Sequence, residues 1–316
     1  MAITAAHVAR APRIRLGMVG GGRGAFIGAV HRIAARLDDQ YELVAGAFSS
    51  DPEKSAASAA DLGVARSYWS YAEMAQKEAR RKDGIEAVAI VTPNHMHAPV
   101  AVEFLKRGIH VICDKPLTAT LPEAKKLAKT AEASGVVFAL THNYTGYPMI
   151  RQAREMIAAG ALGDIRLVNV EYIQDWLAEP IEATGQKQAD WRTDPARSGA
   201  GGATGDIGTH AFNLANFVTG LTLHELSADL QSFVAGRRVD DNGHIMMRYT
   251  SGARGTLWCS QVASGQENGL RLRILAPRAG SSGSRRTPTT CGSRPWASPN
   301  TASHAAAPAV ARLRRA

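Results

Sequence analysis

Lys115 lies where a side-chain amine can do acid–base chemistry. It follows the apolar run His110–Cys113 and Asp114, and Pro116 comes directly after it. Proline fixes its own backbone angle and lacks a hydrogen-bond donor, so a stiff turn sets the direction of the lysine. A partly desolvated lysine can polarise or deprotonate a bound hydroxyl group. The alternative is an ordinary polar turn in which Lys115 is merely solvated.

Asp206 and His210 are four residues apart and follow the glycine-rich stretch 198–205. If a helix begins near Ile207, both side chains project from its first turn toward one side. A carboxylate beside a histidine can hold its tautomer and stabilise its protonated form, which is a general acid–base arrangement. The alternative is that Asp206 caps a helix and His210 belongs to the core. The glycine run favours the chemical interpretation, because glycine permits a close approach of the backbone.

A glycine turn near the start of the chain has the pattern of a dinucleotide-binding loop. The apolar strand Ile14–Val19 leads into Gly20, Gly22 and Ala25, which match G-x-G-x-x-G/A, and Phe26–Leu37 has helical spacing. The first glycine allows a tight turn, the second lets the backbone approach a pyrophosphate, and the helix N-terminus attracts its charge. A flexible glycine turn is the alternative, but the strand before it and the helix after it favour dinucleotide binding.

The strand that follows, Tyr41–Phe48, does not end in an acid. Sites that prefer NAD often have an acid there to hold the ribose hydroxyls. Ser49 and Ser50 occupy that place, and the basic residues Lys54 and Arg66 are near in sequence. A 2′-phosphate is therefore also compatible, and the sequence predicts NAD or NADP without choosing between them.

A further apolar run, Ile85–Val91, ends in the polar sequence TPNHMH at residues 92–97. Ligands bind at the carboxyl ends of parallel strands, so this loop is predicted to contact the cofactor. The alternative is that His95 and His97 only cap the helix Ala98–Arg107. Two histidines without further ligands make a poor zinc site, so no metal is predicted.

The order of elements divides the chain into two domains and a tail. Strands and helices alternate in residues 1–141, which indicates an α/β domain with a doubly wound parallel sheet. Residues 142–275 contain successive strands without intervening helices, which indicates an α+β domain with an antiparallel or mixed sheet. The other predicted elements are helices Pro52–Leu62 (with Asp51 as N-cap), Tyr71–Arg81, Leu121–Ser134, Pro148–Ala159 and Ala211–Val218, and strands Val136–Leu140, Ile165–Ile173, Leu223–Val234, His244–Tyr249, Gly255–Gln261 and Leu270–Leu275.

Composition excludes several classes of protein. No apolar run approaches 18 residues, so no membrane span is expected, and the first residues lack the apolar stretch of a secretory signal. The three cysteines show no paired or metal-ligand spacing, which fits a reducing compartment and predicts a cytoplasmic protein. The net charge of +9 is concentrated in residues 276–316, which hold seven arginines and no acid; subtracting them leaves +2 for residues 1–275. Without a basic stripe on the body, no nucleic-acid partner is predicted.

The motifs VGGGRGA, TPNHMH, CDKPL, DWRTDP and GDIGTH, taken in this order, resemble those of the Gfo/Idh/MocA oxidoreductase family from about Ile14 to Leu275. The resemblance implies an N-terminal Rossmann domain and a C-terminal domain with an open, largely antiparallel sheet, often used in oligomerisation. It implies oxidation or reduction of a secondary alcohol in a sugar, polyol or related ring with NAD or NADP. The alternatives are a non-catalytic regulator that binds the same cofactor, or a defective, truncated member.

The resemblance also assigns roles to residues. Lys115 matches the lysine of the family's E-K-P motif, and Asp206 and His210 match its D-x-x-x-H motif, which makes these three the predicted catalytic residues. Asp114 replaces the usual glutamate, which preserves the charge. The predicted cofactor-binding residues are Gly20, Gly22, Arg23, Ala25, Ser49, Ser50, Thr92, Pro93, Asn94, His97, Asp114 and Lys115. The predicted substrate residues are Asn143, Trp191, Arg192, Asp206 and His210.

Residues 276–316 lack the periodicity of a helix or strand and are rich in Arg, Pro, Ser and Thr, a composition typical of disorder. We interpret them as translated from a wrong reading frame. In the frame that starts at the last base of the Leu275 codon, residues 276–283 can be reread as GAKGGLEW and residues 284–299 as FQEDPNYLWFTPLGEP. That text resembles the continuation of family members and would complete a sheet that is otherwise cut short. The alternative is a natural, basic, disordered tail.

Overall fold

The computed structural model describes residues 12–277, 279–284 and 287–295, the last two stretches by their backbone alone. The chain divides between Thr141 and His142 into two compact units. No helix in the described part of the chain is long and apolar enough to cross a membrane.

The first unit is built on a six-stranded parallel sheet. Its strands are β1 (Ile14–Gly20), β2 (Tyr41–Ala47), β3 (Arg66–Ser67), β4 (Ala87–Val91), β5 (His110–Asp114) and β6 (Phe138–Thr141). The strand order is β3-β2-β1-β4-β5-β6 and all five pairings are parallel. This is the doubly wound order, in which the direction of winding reverses between β1 and β4. The predicted Rossmann fold is confirmed.

Five helices connect these strands: α1 (Phe26–Leu37), α2 (Pro52–Asp61), α3 (Tyr71–Glu78), α4 (His97–Leu105) and α5 (Leu121–Ser134). The bounds of α1 and α5 are those that the sequence predicts. The Asp51 side chain accepts hydrogen bonds from two amides of the first turn of α2, so its predicted role as N-cap is confirmed. All five residues of β4 are buried, and Phe104 of α4 has no exposed surface, which explains the continuous apolar runs.

A buried carboxylate, Glu78, fixes the outer part of this sheet. It is 1% exposed and accepts hydrogen bonds from Arg66 Nε at 2.8 Å, Tyr68 Oη at 2.6 Å and the Ile85 amide at 3.0 Å. Burial and the adjacent Glu78 raise the pKa of Tyr68 to about 12. The Ile85 amide is used on Glu78, and β4 begins at Ala87 rather than at the predicted Ile85. Arg66 is bound to a buried acid and is not available for the cofactor phosphate that its place in the sequence suggested.

The second unit is built on a seven-stranded mixed sheet. Its helical segments are α6 (Pro148–Ala158), α7 (Lys187–Arg192), α8 (Pro195–Ser198), a π turn (Thr204–Gly208) and α9 (Thr209–Thr219). Its strands are β7 (Leu167–Ile173), β8 (Leu223–Gln231), β9 (Asn242–Tyr249), β10 (Arg254–Ser260), β11 (Gly269–Leu275), β12 (Ala279–Ser284) and β13 (Thr287–Pro295). The order is β13-β12-β11-β7-β10-β9-β8, and only the β7–β10 pair is parallel. The predicted, largely antiparallel sheet is confirmed.

Helix α9 covers one face of this sheet. Four of its residues, spaced as one face of a helix, are 3% exposed or less: Ala211, Leu214, Ala215 and Val218. They share a core with alternate residues of the strands, such as Val168 and Leu257. Burying a Leu or Val side chain of this kind contributes about 1.5–3 kcal/mol to the stability of the fold. These contacts hold α9, and with it the start of the helix that follows the π turn, against the sheet.

Part of the predicted tail forms strands. The backbone of β12 pairs antiparallel with β11, and that of β13 pairs antiparallel with β12. The prediction of disorder rests on side-chain composition, whereas an edge strand offers unpaired amides and carbonyls to almost any backbone. The prediction of disorder also covers residues 278, 285, 286 and 296–316, which lie outside the described residues.

Candidate active site

Three loops leave the same edge of the first sheet side by side. Gly20 at the end of β1 is in register with Val91 at the end of β4, and Ile90 of β4 is in register with Cys113 of β5. The glycine loop, the TPNHMH loop and the turn that carries Lys115 therefore begin on adjacent strands at their carboxyl ends. This edge, where the strand order reverses, is where doubly wound sheets bind ligands.

The glycine loop fits a pyrophosphate. A Cβ on Gly22 would lie 2.8 Å from both Phe48 O and Ser58 Oγ, so only a bare backbone fits there. Ala25, the N-cap of α1, makes no side-chain hydrogen bond to the first amides of the helix. Amides at a helix N-terminus, together with the helix dipole, can bind an anion such as a phosphate group. The helix packs closely on the loop at Gly28, where a Cβ would lie 2.5 Å from Gly21 Cα.

Two serines, Ser49 and Ser50, follow β2 and Phe48, and the next residue, Asp51, uses its carboxylate to cap α2. Ser49 Oγ accepts a hydrogen bond from the Asp51 amide at 3.1 Å. Arg23 forms a two-pronged ion pair with Asp61, in which Nη2 lies 2.8 Å from Oδ1. The pair is exposed on the surface, so it positions the arginine more than it stabilises the fold. Neither feature selects between NAD and NADP.

Asp114 is held ionised beside Lys115. Its Oδ1 lies 3.6 Å from His31 Nε2 of α1 and accepts a hydrogen bond from Thr141 Oγ1 at 3.0 Å. Burial alone would raise the pKa of Asp114, but the hydrogen bond and charge of His31, with Lys115 and Thr141, hold it below the ordinary value. The aspartate that replaces the family's glutamate is thus engaged by His31. It keeps a negative charge next to the lysine.

The polar residues of the TPNHMH loop differ in their burial and in the element to which they belong. Asn94 is buried, at 7% exposure, and begins a short 3-10 turn, while Thr92 and Pro93 precede it directly after β4. His97 is the first residue of α4 and is 1% exposed, so it belongs to the core beneath the loop. Within the described residues, no group of three His, Cys, Asp or Glu side chains is arranged to hold a metal.

In the second unit, Asp206 lies inside the π turn and does not cap a helix. The π turn runs directly into α9, and π turns of this kind often occur at functional sites. Asp206 Oδ2 accepts hydrogen bonds from Gln261 Nε2 at 2.9 Å and from Arg192 Nε at 3.3 Å. The turn itself is held by Asp240, whose carboxylate accepts from the Gly202 amide at 2.8 Å and the Thr204 amide at 2.7 Å.

Sequence reasoning missed both Gln261 and Asp240. Gln261 follows directly after β10, and Asp240 lies in the loop between β8 and β9. Each is far along the chain from the turn that it holds, and no motif marks either of them. A polar residue directly after a buried strand is the only signal that would have pointed to Gln261.

His210 lies on the first turn of α9 in an aromatic pocket. It is 7% exposed, and the centres of its ring and the rings of Tyr144 and His142 are 4.7 Å and 5.7 Å apart. Tyr144 Oη and Tyr172 Oη share a hydrogen bond of 2.6 Å behind it. His210 is therefore a buried residue, as the alternative interpretation of the sequence proposed. Its imidazole also lies in a pocket of low dielectric constant.

Arg192 links the predicted substrate residues of the second unit. Its guanidinium lies 4.2 Å above the Trp191 ring and 5.9 Å from the Trp176 ring, and its Nη1 donates to Gln188 Oε1 at 2.6 Å. Together with its bond to Asp206, these contacts give the arginine one fixed position. Asn143 begins a 3-10 turn, Asn143–Gly146, that also carries Tyr144 of the aromatic pocket.

Two family models match the two units. Residues 14–142 match the model described as oxidoreductase family, NAD-binding Rossmann fold, and residues 150–281 match the GFO/IDH/MocA C-terminal domain. The chain belongs to the Gfo/Idh/MocA oxidoreductase family. As a member of this family with an NAD-binding Rossmann domain, it is an NAD(P)-dependent oxidoreductase.

Individual relatives agree with this assignment. The uncharacterized oxidoreductase YfiI of Bacillus subtilis is 38% identical over 84% of this chain and 69% of its own length. The crystal structure of an oxidoreductase from Sinorhizobium meliloti is 58% identical, with a TM-score of 0.82 over 91% of this chain and 76% of that one. An inositol dehydrogenase homolog from Azotobacter vinelandii, solved with NADH and myo-inositol, is 37% identical, with a TM-score of 0.85 over 92% of this chain and 75% of that one.

Proposed function

We propose that this Gfo/Idh/MocA member transfers a hydride between NAD(P) and a secondary alcohol of a sugar, polyol or related ring. The inositol dehydrogenase homolog that was solved with NADH and myo-inositol supports a cyclic polyol as the class of substrate. Trp191, Arg192 and Asn143 remain the proposed substrate contacts. The rings and the fixed guanidinium around Asp206 suit a ligand that has both apolar faces and hydroxyl groups.

One observation carries the proposal. Lys115 stands directly after β5, at the sheet edge where the glycine loop also begins, and Asp114 beside it is held ionised. A lysine at this edge can contact the cofactor, as the sequence predicts, and it is also placed to act on an alcohol bound beside the cofactor. An amine there can stabilise the negative charge that develops on an alcohol oxygen.

In the proposed reaction the alcohol loses two hydrogens as a proton and a hydride. His210 accepts the hydroxyl proton as the O–H bond breaks, and the electron pair of that bond forms the carbonyl π bond. Bound NAD(P)⁺ supplies the hydride acceptor for the hydrogen leaving the same carbon. Lys115 stabilises the developing alkoxide, and Asp206 orients the neighbouring groups. General acid–base assistance of this kind accelerates a reaction by ~10²–10⁴-fold.

A screen of purified protein for NADH and NADPH formation, across sugars, cyclic polyols and anhydrosugars, tests this proposal. We expect turnover with at least one ring that carries secondary hydroxyls. Cofactor binding by calorimetry is measured in parallel. Tight cofactor binding with no NADH or NADPH formation on any member of the panel would favour the non-catalytic regulator instead.

A further inference from the structure

The His97 side chain spans the two loops that follow β4 and β5. Its Nδ1 lies 2.7 Å from the carbonyl oxygen of Pro116, and its Nε2 lies 3.0 Å from that of Thr92. Thr92 is the first residue after β4, and Pro116 directly follows Lys115. One rigid ring therefore reaches from the loop proposed to hold the cofactor to the turn that carries the proposed catalytic lysine.

The number of protons on this ring decides which contact is a hydrogen bond. Both partners are carbonyl oxygens, which only accept, and a neutral imidazole has a single N–H to donate. Burial lowers the pKa of His97, and the positive charge of Lys115 lowers it further. The carbonyls of Pro116 and Thr92 and the charge of Asp114 raise the pKa, but by less than burial lowers it. The buried ring is therefore neutral at physiological pH. The shorter contact assigns its one proton to Nδ1, which donates to Pro116.

A bond to the Pro116 carbonyl acts on the lysine next to it. Proline has no amide hydrogen, so the carbonyl is its only backbone hydrogen-bonding group. Fixing that oxygen fixes the peptide plane directly after the proline, and with it the direction in which the turn presents Lys115. A misplacement of about 1 Å can reduce a rate by roughly 10²-fold. Loss of the hydrogen bond between His97 and the Pro116 carbonyl is therefore expected to lower the reaction rate measurably.

We propose that His97 is a positioning residue for Lys115, which it holds in place through an Nδ1–H bond to the Pro116 carbonyl. This inference rests on the proposed function, because it assigns to Lys115 a part in the reaction. This role differs from the cofactor contact that the sequence predicts for His97, because the ring acts here through the two loops that it joins.

Two amide variants separate the two ring nitrogens. In His97→Asn the side-chain amide replaces Nδ1 and can still donate to Pro116, whereas in His97→Gln the amide reaches the position of Nε2 and can donate only to Thr92. We expect kcat of His97→Asn to stay within about threefold of the parent and kcat of His97→Gln to fall by on the order of 10- to 100-fold. KM for the alcohol and the NADH dissociation constant should change little in both. His224→Asn, at an exposed histidine of the second unit, is the control.

Equal losses of kcat in the two amide variants, with equal losses of thermal stability, would mean that His97 is only a packing residue and would overturn the proposal. So would a His97→Gln variant with the parent kcat.

The tautomer gives a second test that needs neither cofactor nor turnover. In ¹⁵N-labelled parent protein, the His97 ring is identified as the signal missing from both amide variants, and we expect its proton on Nδ1. A proton on Nε2 alone would place the bond on Thr92 and would overturn the proposal. If no alcohol is oxidised by the parent, the proposed function fails, while the tautomer still reports whether His97 holds Pro116.

Discussion

Gln261 donates a hydrogen bond of 2.9 Å from Nε2 to Oδ2 of Asp206, across 55 residues of sequence. Gln261 is 2% exposed, and its own backbone is tied to Asp241 and Leu177 on either side. The same carboxylate oxygen also receives the Arg192 contact. The proposed orienting residue of the reaction is therefore itself fixed by a buried amide that directly follows a central strand.

We predict that Gln261→Met, which keeps the volume and removes the donor, lowers kcat by about 10- to 100-fold, because the Asp206 carboxylate can then shift and a misplacement of about 1 Å can reduce a rate by roughly 10²-fold. Steady-state kinetics measure the loss. Gln40→Met, the same change at an exposed residue of the first unit, is the control and should leave kcat unchanged. A Gln261→Met enzyme with parental kcat would show that Asp206 needs no support from Gln261.

We predict that Gly22→Val abolishes dinucleotide binding. A side chain at this position would meet Phe48 O and Ser58 Oγ within the protein as well as the pyrophosphate in front of the loop. Calorimetry with NADH measures the affinity, and a thermal melt establishes that the variant is folded. Unchanged affinity in a folded variant would reject the glycine loop as the pyrophosphate site.

The pH dependence of stability follows from the lowered pKa of His97. Below the ordinary value of 6.5, the unfolded chain binds a proton that the folded chain does not, so this residue makes stability fall with falling pH, from 6.5 down to its folded pKa. The contribution is at most about 1.4 kcal/mol per pH unit. We predict that His97→Asn loses less unfolding free energy than the parent between about pH 7.5 and pH 5.5, as measured by urea denaturation. An equal loss in both proteins would assign the effect to other groups.

Much of the candidate cofactor site in the first unit could be predicted from the sequence, because each part is local. The glycine fingerprint, the apolar strands and the polar residues at their ends are adjacent in the chain, and the parallel topology brings the strand ends together. What could not be predicted depends on distant residues. Gln261, Asp240 and the Gly28–Gly21 approach join segments whose pairing is decided only by the register of the sheet and the packing of the helices.

Arg66 and His97 also show what the sequence alone could not predict. Both are polar residues close in sequence to the predicted cofactor site, and both are used inside the fold, by Glu78 and by the carbonyls of Thr92 and Pro116. Proximity in sequence pointed to these loops. It did not reveal that the two side chains bind partners inside the protein, because burial of a polar group depends on the partner that tertiary structure provides.

We predict that resequencing the coding DNA finds an inserted or deleted base near the codons for Arg273–Ala276. The restored frame should encode residues with acids, aromatics and strand-like apolar positions, and its product should be more stable to heat than the 316-residue chain. A clean read of the present frame, with a stable and active 316-residue product, would retire the hypothesis.

The most direct test of the central claim compares parent and Lys115→Met for NAD(P)H formation with an alcohol that the parent oxidises. Lys125→Met, at an exposed lysine of α5, is the matched control. We predict that Lys115→Met lowers kcat by at least about 10²-fold while NADH binds with parental affinity, because the lysine stabilises charge that develops only during the reaction. Turnover by Lys115→Met near the parental rate would contradict the mechanism.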